Sequence, residues 1–178
     1  MKKILLTTTL AALACSSSLT WAAASGEGQV NFTGEILDAA CEVVNSQSSP
    51  LAVDLGKVSK TAFTGVGSTT NITSFFLQLK NCPASVTTAS IKFGGDADSN
   101  NASVLALTGD TGKASGVGIQ LVDADGTPLD LYTASADYAL QTGTATNNLE
   151  FGARYIQTGA AVTAGTANGS STFTVTYN

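Results

Sequence analysis

The chain has 178 residues, of which 13 are acidic, 8 are basic and none is histidine. Its formal net charge of −5 disfavours nucleic acid and anionic lipid as partners. Without histidine the sequence cannot form the Ser/His or Cys/His pairs of common nucleophilic enzymes. We therefore predict that the chain is not an enzyme and that it binds no nucleic acid.

The N-terminus has the layout of a secretory signal peptide, which we place at residues 1–22. Met1-Lys2-Lys3 precedes an apolar run, and small residues follow at Ala22 and Ala24, so cleavage is expected after residue 22 to 24. The apolar run is too short to serve as a membrane anchor. A lipoprotein leader ending at Cys15 is the alternative, although the leucine before it stands one place from the usual position.

The rest of the chain alternates apolar and polar side chains with a period of two residues, which predicts an all-β fold. The predicted strands cover residues 29–37, 51–55, 72–80, 86–93, 104–107, 116–122, 129–132, 138–140, 149–156 and 171–177. Asp125-Gly126 predicts a hairpin turn between the sixth and seventh of these. Ten short strands at this spacing are typical of a β-sandwich.

Two cysteines remain after the predicted leader, Cys41 and Cys82. In a chain bound for an oxidising compartment they predict one disulfide bond. Closing a loop of about forty residues would contribute roughly 4 kcal/mol in the chain-entropy model. The alternatives are two buried free thiols, or a metal site that would need carboxylates because the chain has no histidine.

A calcium loop is the other metal site to consider, since residues 96–100 read Asp-Ala-Asp-Ser-Asn. Asn101 stands where such a loop needs glycine, and Leu107 stands where it needs the bidentate glutamate. We therefore expect no metal and no cofactor.

The first and last predicted strands are both amphipathic. Gly28, Val30 and Phe32 share one face of the first, which either pairs within its own sheet or lies in a groove that needs side chains at some sites and none at another. The last strand alternates at positions 173, 175 and 177 and ends the sequence. A further strand would normally pair with it in an immunoglobulin-like sandwich, so we expect an incomplete sheet.

Several segments, in order along the chain, resemble one family. They are Phe32-Thr33-Gly34-Glu35-Ile36, Ala39-Ala40-Cys41, Asn81-Cys82, Phe151-Gly152-Ala153-Arg154-Tyr155 and Phe173-Thr174-Val175-Thr176-Tyr177-Asn178. A penultimate tyrosine and Gly165, the fourteenth residue from the C-terminus, complete the pattern. The sequence resembles the pilins of chaperone/usher fimbriae, and most of all the main subunit of type 1 fimbriae.

The resemblance implies an immunoglobulin-like β-sandwich that lacks its seventh strand and is completed by donor-strand complementation. It divides the chain into a signal peptide at 1–22, a donor-strand extension at 23–34 and a pilin domain at 35–178. Two sets of residues acquire roles from it. Gly28, Val30 and Phe32 would face the groove of a neighbouring subunit, and Phe173, Val175 and Tyr177 would line the strand beside the groove and bind the chaperone.

The resemblance also implies a function and partners. The chain would be exported through the periplasm to the cell-surface fimbrium, where it would be the major structural subunit and support cell adhesion. Its partners would be identical subunits, a periplasmic chaperone and an outer-membrane usher. A minor or adaptor pilin, or an adhesive subunit of the same pilus class, is the alternative.

Overall fold

The structure is a computed structural model that describes residues 29–34, 36, 40–109 and 111–178. The chain divides into two units, Met1–Ile36 and Leu37–Asn178, and each is described by itself. The predicted signal peptide and Gly28 lie outside the described residues. Within the described ranges, no helix is long and apolar enough to cross a membrane.

In the first unit, residues 29–34 and 36 form no strand. The prediction of a strand over 29–37 is therefore wrong for the described residues, while positions 35 and 37 lie outside them. An alternating sequence becomes a strand only where a neighbouring strand supplies hydrogen bonds. The side chains of Val30 and Phe32 are 74% and 90% exposed.

The second unit contains ten strands among its described residues, and all their pairings are antiparallel. The strands are β1 Glu42–Val43, β2 Thr73–Lys80, β3 Thr88–Gly94, β4 Ala97–Asp98, β5 Asn101–Leu105, β6 Val117–Asp123, β7 Pro128–Leu129, β8 Tyr138–Ala139, β9 Asn147–Gln157 and β10 Thr172–Tyr177. One 3₁₀ turn, Lys60–Ala62, precedes β2.

The strands form two sheets. The larger has seven strands in the order β1-β2-β9-β6-β5-β4, with β7 also paired to β6. The smaller has the order β10-β3-β8, so β10 lies at its edge. The all-β sandwich predicted from the sequence is confirmed.

The long strands follow the predicted alternation. In β2, Leu77 and Leu79 are buried and Phe75 is half-buried, whereas Ser74 and Phe76, on either side of Phe75, are exposed. β9 pairs with β2 through the register Phe75↔Phe151 and with β6 on its other side. The large sheet therefore presents one continuous apolar face to the small sheet.

The predicted hairpin turn at Asp125-Gly126 is confirmed. Gly126 has a φ of +83°, and its N–H donates to the carbonyl of Asp123 at 2.9 Å. Glycine adopts this backbone conformation without steric cost. The turn returns the chain from β6 to β7, where Pro128 pairs with Val122.

The predicted strand at residues 51–55 is wrong. These residues lie in no sheet, although Val53 and Leu55 are half-buried as the alternation indicated. The predicted strand at 129–132 is also too long, since β7 ends at Leu129 and Tyr132 has a φ of +63°. The two-residue strands β1 and β4 are too short for any alternation to indicate them.

The disulfide bond between Cys41 and Cys82 is confirmed. The β1–β2 pairing, with Glu42 opposite Lys80, brings the two cysteines together just beyond the ends of the strands. The same pairing places Glu42 3.1 Å from Lys80, and hydrogen bonds from Lys80 and Asn81 lower the pKa of the Glu42 carboxyl. The disulfide thus fixes the start of the second unit to the body of the large sheet.

Candidate functional site

A groove of about 910 Å³ opens beside β10 in the second unit. Four sets of residues line it. Residues of β10 and the segment before it form one set, apolar residues from the inner faces of β2, β3, β5, β6 and β9 form the second, residues 50–56 form the third, and residues between 40 and 47 form the fourth. The groove therefore reaches from the surface to the apolar interior of the sandwich.

β10 turns its apolar side chains toward this groove. Phe173, Val175 and Tyr177 are half-buried and line the groove, while the threonines that alternate with them, at positions 172, 174 and 176, are exposed. The family resemblance implied that these three residues line the strand beside a groove, and in the structure all three lie on one wall of the groove.

The backbone of β10 has one edge paired and one edge turned away from its partner strand. Asn178 and Thr88 exchange backbone hydrogen bonds of 3.0 and 3.1 Å, continuing the β10–β3 ladder. Because bonded and non-bonded pairs alternate along an antiparallel ladder, the N–H and C=O groups of residues 173, 175 and 177 point away from β3. The same residues thus present both their side chains and their backbone groups for an added strand.

Tyr177 connects this strand to the disulfide. Its hydroxyl donates to the carbonyl oxygen of Cys41 at 3.4 Å, and Cys41 itself lines the groove. Burial raises the pKa of the Tyr177 hydroxyl. The disulfide bond to Cys82 therefore holds one of the residues that shape the groove wall.

The floor of the groove is apolar. Leu77, Leu105, Leu121 and Tyr155 are buried and line it. The hydroxyl of Tyr155 is not left unpaired, since it donates to the carbonyl of Ala167 at 2.8 Å. Burial, followed by the charge of the Asp54 carboxylate, raises the pKa of Tyr155.

Few charges face the groove. Asp54 is the one charged residue among the described residues that line it. A low-dielectric groove with so few charges favours an occupant whose buried side chains are apolar. An extended peptide with apolar side chains meets this requirement if its backbone bonds to the edge of β10 that faces away from β3.

The floor residues could not be identified from the sequence as part of a site. Alternation placed Ile119, Leu121 and Ala153 on strands, but it cannot distinguish a core position that is sealed by neighbours from one that faces a groove. Residues 167–170, which also line the groove, precede the predicted last strand and carry no alternation.

Gly165 does not line the groove but packs against the backbone of residues 112–114. A β-carbon at this position would lie 2.5 Å from backbone atoms of Gly112, Lys113 and Ala114. Real β-carbons do not approach backbone so closely, so only glycine fits without a shift. Two hydrogen bonds between residues 166 and 112–114 hold the segments at this distance.

The structure gives no support to a metal site in the described part of the chain, where no group of three His, Cys, Asp or Glu side chains is placed to hold an ion. At the sequence considered as a calcium loop, the Asp98 carboxylate accepts a hydrogen bond from the N–H of Asn100 at 3.0 Å. Such a bond is the ordinary chemistry of an Asx turn.

The sequence of this chain is similar to those of fimbrial proteins. A sequence model described as Fimbrial protein matches residues 30–178. The type-1 fimbrial protein A chain of Salmonella typhi is 38% identical over 188 residues, which span 99% of this chain and 100% of that protein.

Two solved structures are also similar. The crystal structure of a Burkholderia pseudomallei antigen and type I fimbria protein is 42% identical, with a TM-score of 0.59, and the match covers 84% of this chain and 97% of that one. A subunit from the structure of a chaperone–usher pilus is 26% identical, with a TM-score of 0.61 and coverage of 86% and 97%.

Proposed function

The chain belongs to the fimbrial protein family, and we propose that it is the major structural subunit of its fimbria and polymerises by donor-strand exchange. Family membership makes it a subunit of surface pili of the chaperone–usher type and a structural protein rather than an enzyme. The proposal concerns how one subunit joins the next. In it, residues 23–34 of one copy fill the groove of another.

The observation that carries the proposal is the edge of β10 beside the groove, which pairs with no strand among the residues that the structure describes. An added strand would bond to the backbone of residues 173, 175 and 177 and would cover their side chains. Strand addition to an exposed sheet edge is a known mode of recognition, of which chaperone–pilin complexes are a standard example. It also removes the hazard that an open apolar edge poses.

The N-terminal segment, which is the proposed donor strand, has apolar side chains that suit the apolar groove. Val30 and Phe32 alternate along the N-terminal segment and are 74% and 90% exposed. Burying each is worth about 1.5–3 kcal/mol. Each new backbone hydrogen bond would add about 0.5–1.5 kcal/mol. In the proposal Gly28, Val30 and Phe32 face the groove, and the polar residues between them face solvent.

The same groove accounts for the proposed assembly partners. Before polymerisation, β10 and its apolar side chains would need cover during passage through the periplasm, which a chaperone strand would provide. An outer-membrane usher would then release the subunit to the growing fibre. The match to a type-1 fimbrial A chain over the full length supports a subunit of the fibre shaft, and cell adhesion would follow from the fibre as a whole.

The test compares the purified full chain with variants of its arm. Wild-type protein is expected to form multimers that resist detergent without heating, and deletion of residues 23–33 should abolish them while chaperone binding persists. Phe32→Asp should have the effect of the deletion, because it places a charge in the apolar groove. Asn31→Asp, on the polar face one residue away, is the matched control and should polymerise normally.

Two outcomes would reject the proposal in different ways. Filaments formed by the deletion variant would rule out donation of the N-terminal strand. If the wild-type chain forms multimers only after a different subunit is added, it is an adaptor rather than the major subunit.

A further inference from the structure

Tyr132 occupies an unusual position next to the groove. It is one of two non-glycine residues with positive φ among the described residues, at +63°. A bulky side chain seldom adopts this left-handed conformation, and such residues cluster at functional sites where surrounding contacts enforce them. Its side chain is also 63% exposed, so burial in the core does not explain it.

Three contacts of Tyr132 converge on the end of β3. Its N–H donates to the carbonyl of Phe93 at 2.8 Å. Its ring packs on Gly94, where a β-carbon would lie 3.1 Å from Cε1 of the tyrosine. Its hydroxyl donates to the carbonyl of Gly95 at 2.5 Å. Tyr132 therefore clamps the corner at which the chain leaves β3.

The opposite side of this corner is the start of β10. The hydroxyl of Ser171 donates to the carbonyl of Gly94 at 2.9 Å, and Thr172 pairs with Gly94 in the ladder. A β-carbon at Gly95 would lie 2.6 Å from the side chain of Leu105. Ser171, Thr172 and Leu105 all line the groove. The corner thus connects Tyr132 to the groove wall through direct contacts.

We infer that Tyr132 is a positioning residue of the groove, which fixes the Gly94–Gly95 corner and thereby sets the end of the groove nearest Phe173 for the incoming strand. The inference rests on the proposed function, because it assumes that a donor strand fills the groove. Tyr132 does not line the groove and acts through the corner. Its contribution should therefore concern binding at one end of the donor strand.

Tyr138 provides a matched control. Its hydroxyl donates to the backbone carbonyl of Glu150 at 2.5 Å, the same kind of bond at the same length as that from Tyr132 to Gly95. Tyr138 is not among the described residues that line the groove. Tyr138→Phe therefore removes an equivalent hydrogen bond elsewhere in the sandwich.

The experiment measures binding of a labelled synthetic peptide with the sequence of residues 25–36 to the full chain carrying Phe32→Asp, because this change in its own arm keeps the chain from polymerising and leaves the groove open to the peptide. This protein, with tyrosine at positions 132 and 138, is the wild type of the comparison, and each tyrosine variant is made in it. Tyr132→Phe is expected to weaken binding by roughly two- to tenfold, the effect of one lost hydrogen bond. Tyr132→Gly should weaken it at least as much, because glycine adopts the backbone conformation but supplies neither ring nor hydroxyl. Tyr138→Phe should leave the peptide affinity within about twofold of wild type.

Peptides shortened from either end separate positioning from general stability. One of the two should bind wild type and Tyr132→Phe equally, because the residues it lacks are those that reach the clamped corner. Equal affinity of wild type and Tyr132→Phe for the full peptide would overturn the inference, as would equal losses in Tyr132→Phe and Tyr138→Phe. Failure of the peptide to bind wild type would instead overturn the proposed function, and the inference with it.

Discussion

Phe93 and Phe151 meet edge to face between the two sheets, with ring centroids 5.1 Å apart and an angle of 86° between their planes. Phe93 also lines the groove, and its ring centroid lies 6.3 Å from that of Phe173 in β10. The wall of the groove is therefore continuous with the core of the sandwich. A strand seated there becomes part of the core, so its release is coupled to opening of the fold.

This aromatic contact predicts a large loss of stability on truncation of Phe151. Its side chain is 1% exposed, and Phe151→Ala should lower the free energy of unfolding by about 3–5 kcal/mol. Phe76, which is 47% exposed on the other face of β2, provides the control. Phe76→Ala should lower the free energy of unfolding much less than Phe151→Ala does. Urea denaturation measures both, and equal losses would contradict the packing described.

Gly165 predicts a cost that depends on backbone proximity. Gly165→Ala should destabilise the fold by about 1–3 kcal/mol, since the added methyl group must displace the chain at residues 112–114. A methyl group added at Gly65 would meet no heavy atom within 4 Å, and the φ of Gly65 is not positive, so Gly65→Ala should be neutral or slightly stabilising. Thermal unfolding compares the two variants. A neutral Gly165→Ala would show that the close approach is not needed.

The disulfide predicts two separate results. Replacing Cys41 and Cys82 by alanine should lower the free energy of unfolding by about 2–5 kcal/mol, measured in urea. Reducing agent added without heating should leave assembled multimers intact, because the bond joins two residues of one chain. Electrophoresis in detergent without heating measures this. If reducing agent converts the multimers to monomers, disulfides join neighbouring subunits.

Tyr138 predicts a loss of stability at high pH. Burial, followed by the charge of Asp123, raises the pKa of Tyr138 to about 12. In the unfolded chain a tyrosine ionises near pH 10. Stability from the neutral hydroxyl is therefore complete below about pH 10 and is lost as the pH rises through about 12.

The comparison of wild type with Tyr138→Phe isolates this effect. Wild type should lose stability more steeply between about pH 10 and 12, measured by urea unfolding at several pH values. The absorbance titration of phenolate in the folded protein should lose a late component in the variant. Equal slopes for the two proteins would show that the hydroxyl of Tyr138 is not protected by the fold.

The sequence predicted what depends on local alternation and missed what depends on partners. The strand ending at Lys80 and the last strand lie where the alternation placed them, because each is buried on one face and paired along its length. Leu51 to Leu55 alternates equally well but has no pairing strand among the described residues, so it lines the groove without joining a sheet.

The candidate site was only partly predictable for the same reason. Phe173, Val175 and Tyr177 could be identified because they alternate on a terminal strand. The clamp at Tyr132 could not, since a left-handed tyrosine depends on contacts with residues 93–95 that are distant in sequence. No local pattern indicates such contacts.

The claim that one copy fills the groove of another is tested most directly by complementation between two chains that each lack one half of the contact. The first lacks residues 23–33 and keeps its groove. The second keeps its arm and carries Val175→Asp, which places a charge on the groove strand. Near-UV circular dichroism first establishes that both are folded.

Neither chain alone should form multimers, and the mixture should form a one-to-one dimer that resists detergent without heating. A dimer of that composition is the result our account predicts. If the mixture of folded chains stays monomeric, or if either chain polymerises alone, donation of the N-terminal strand to the β10 groove is contradicted.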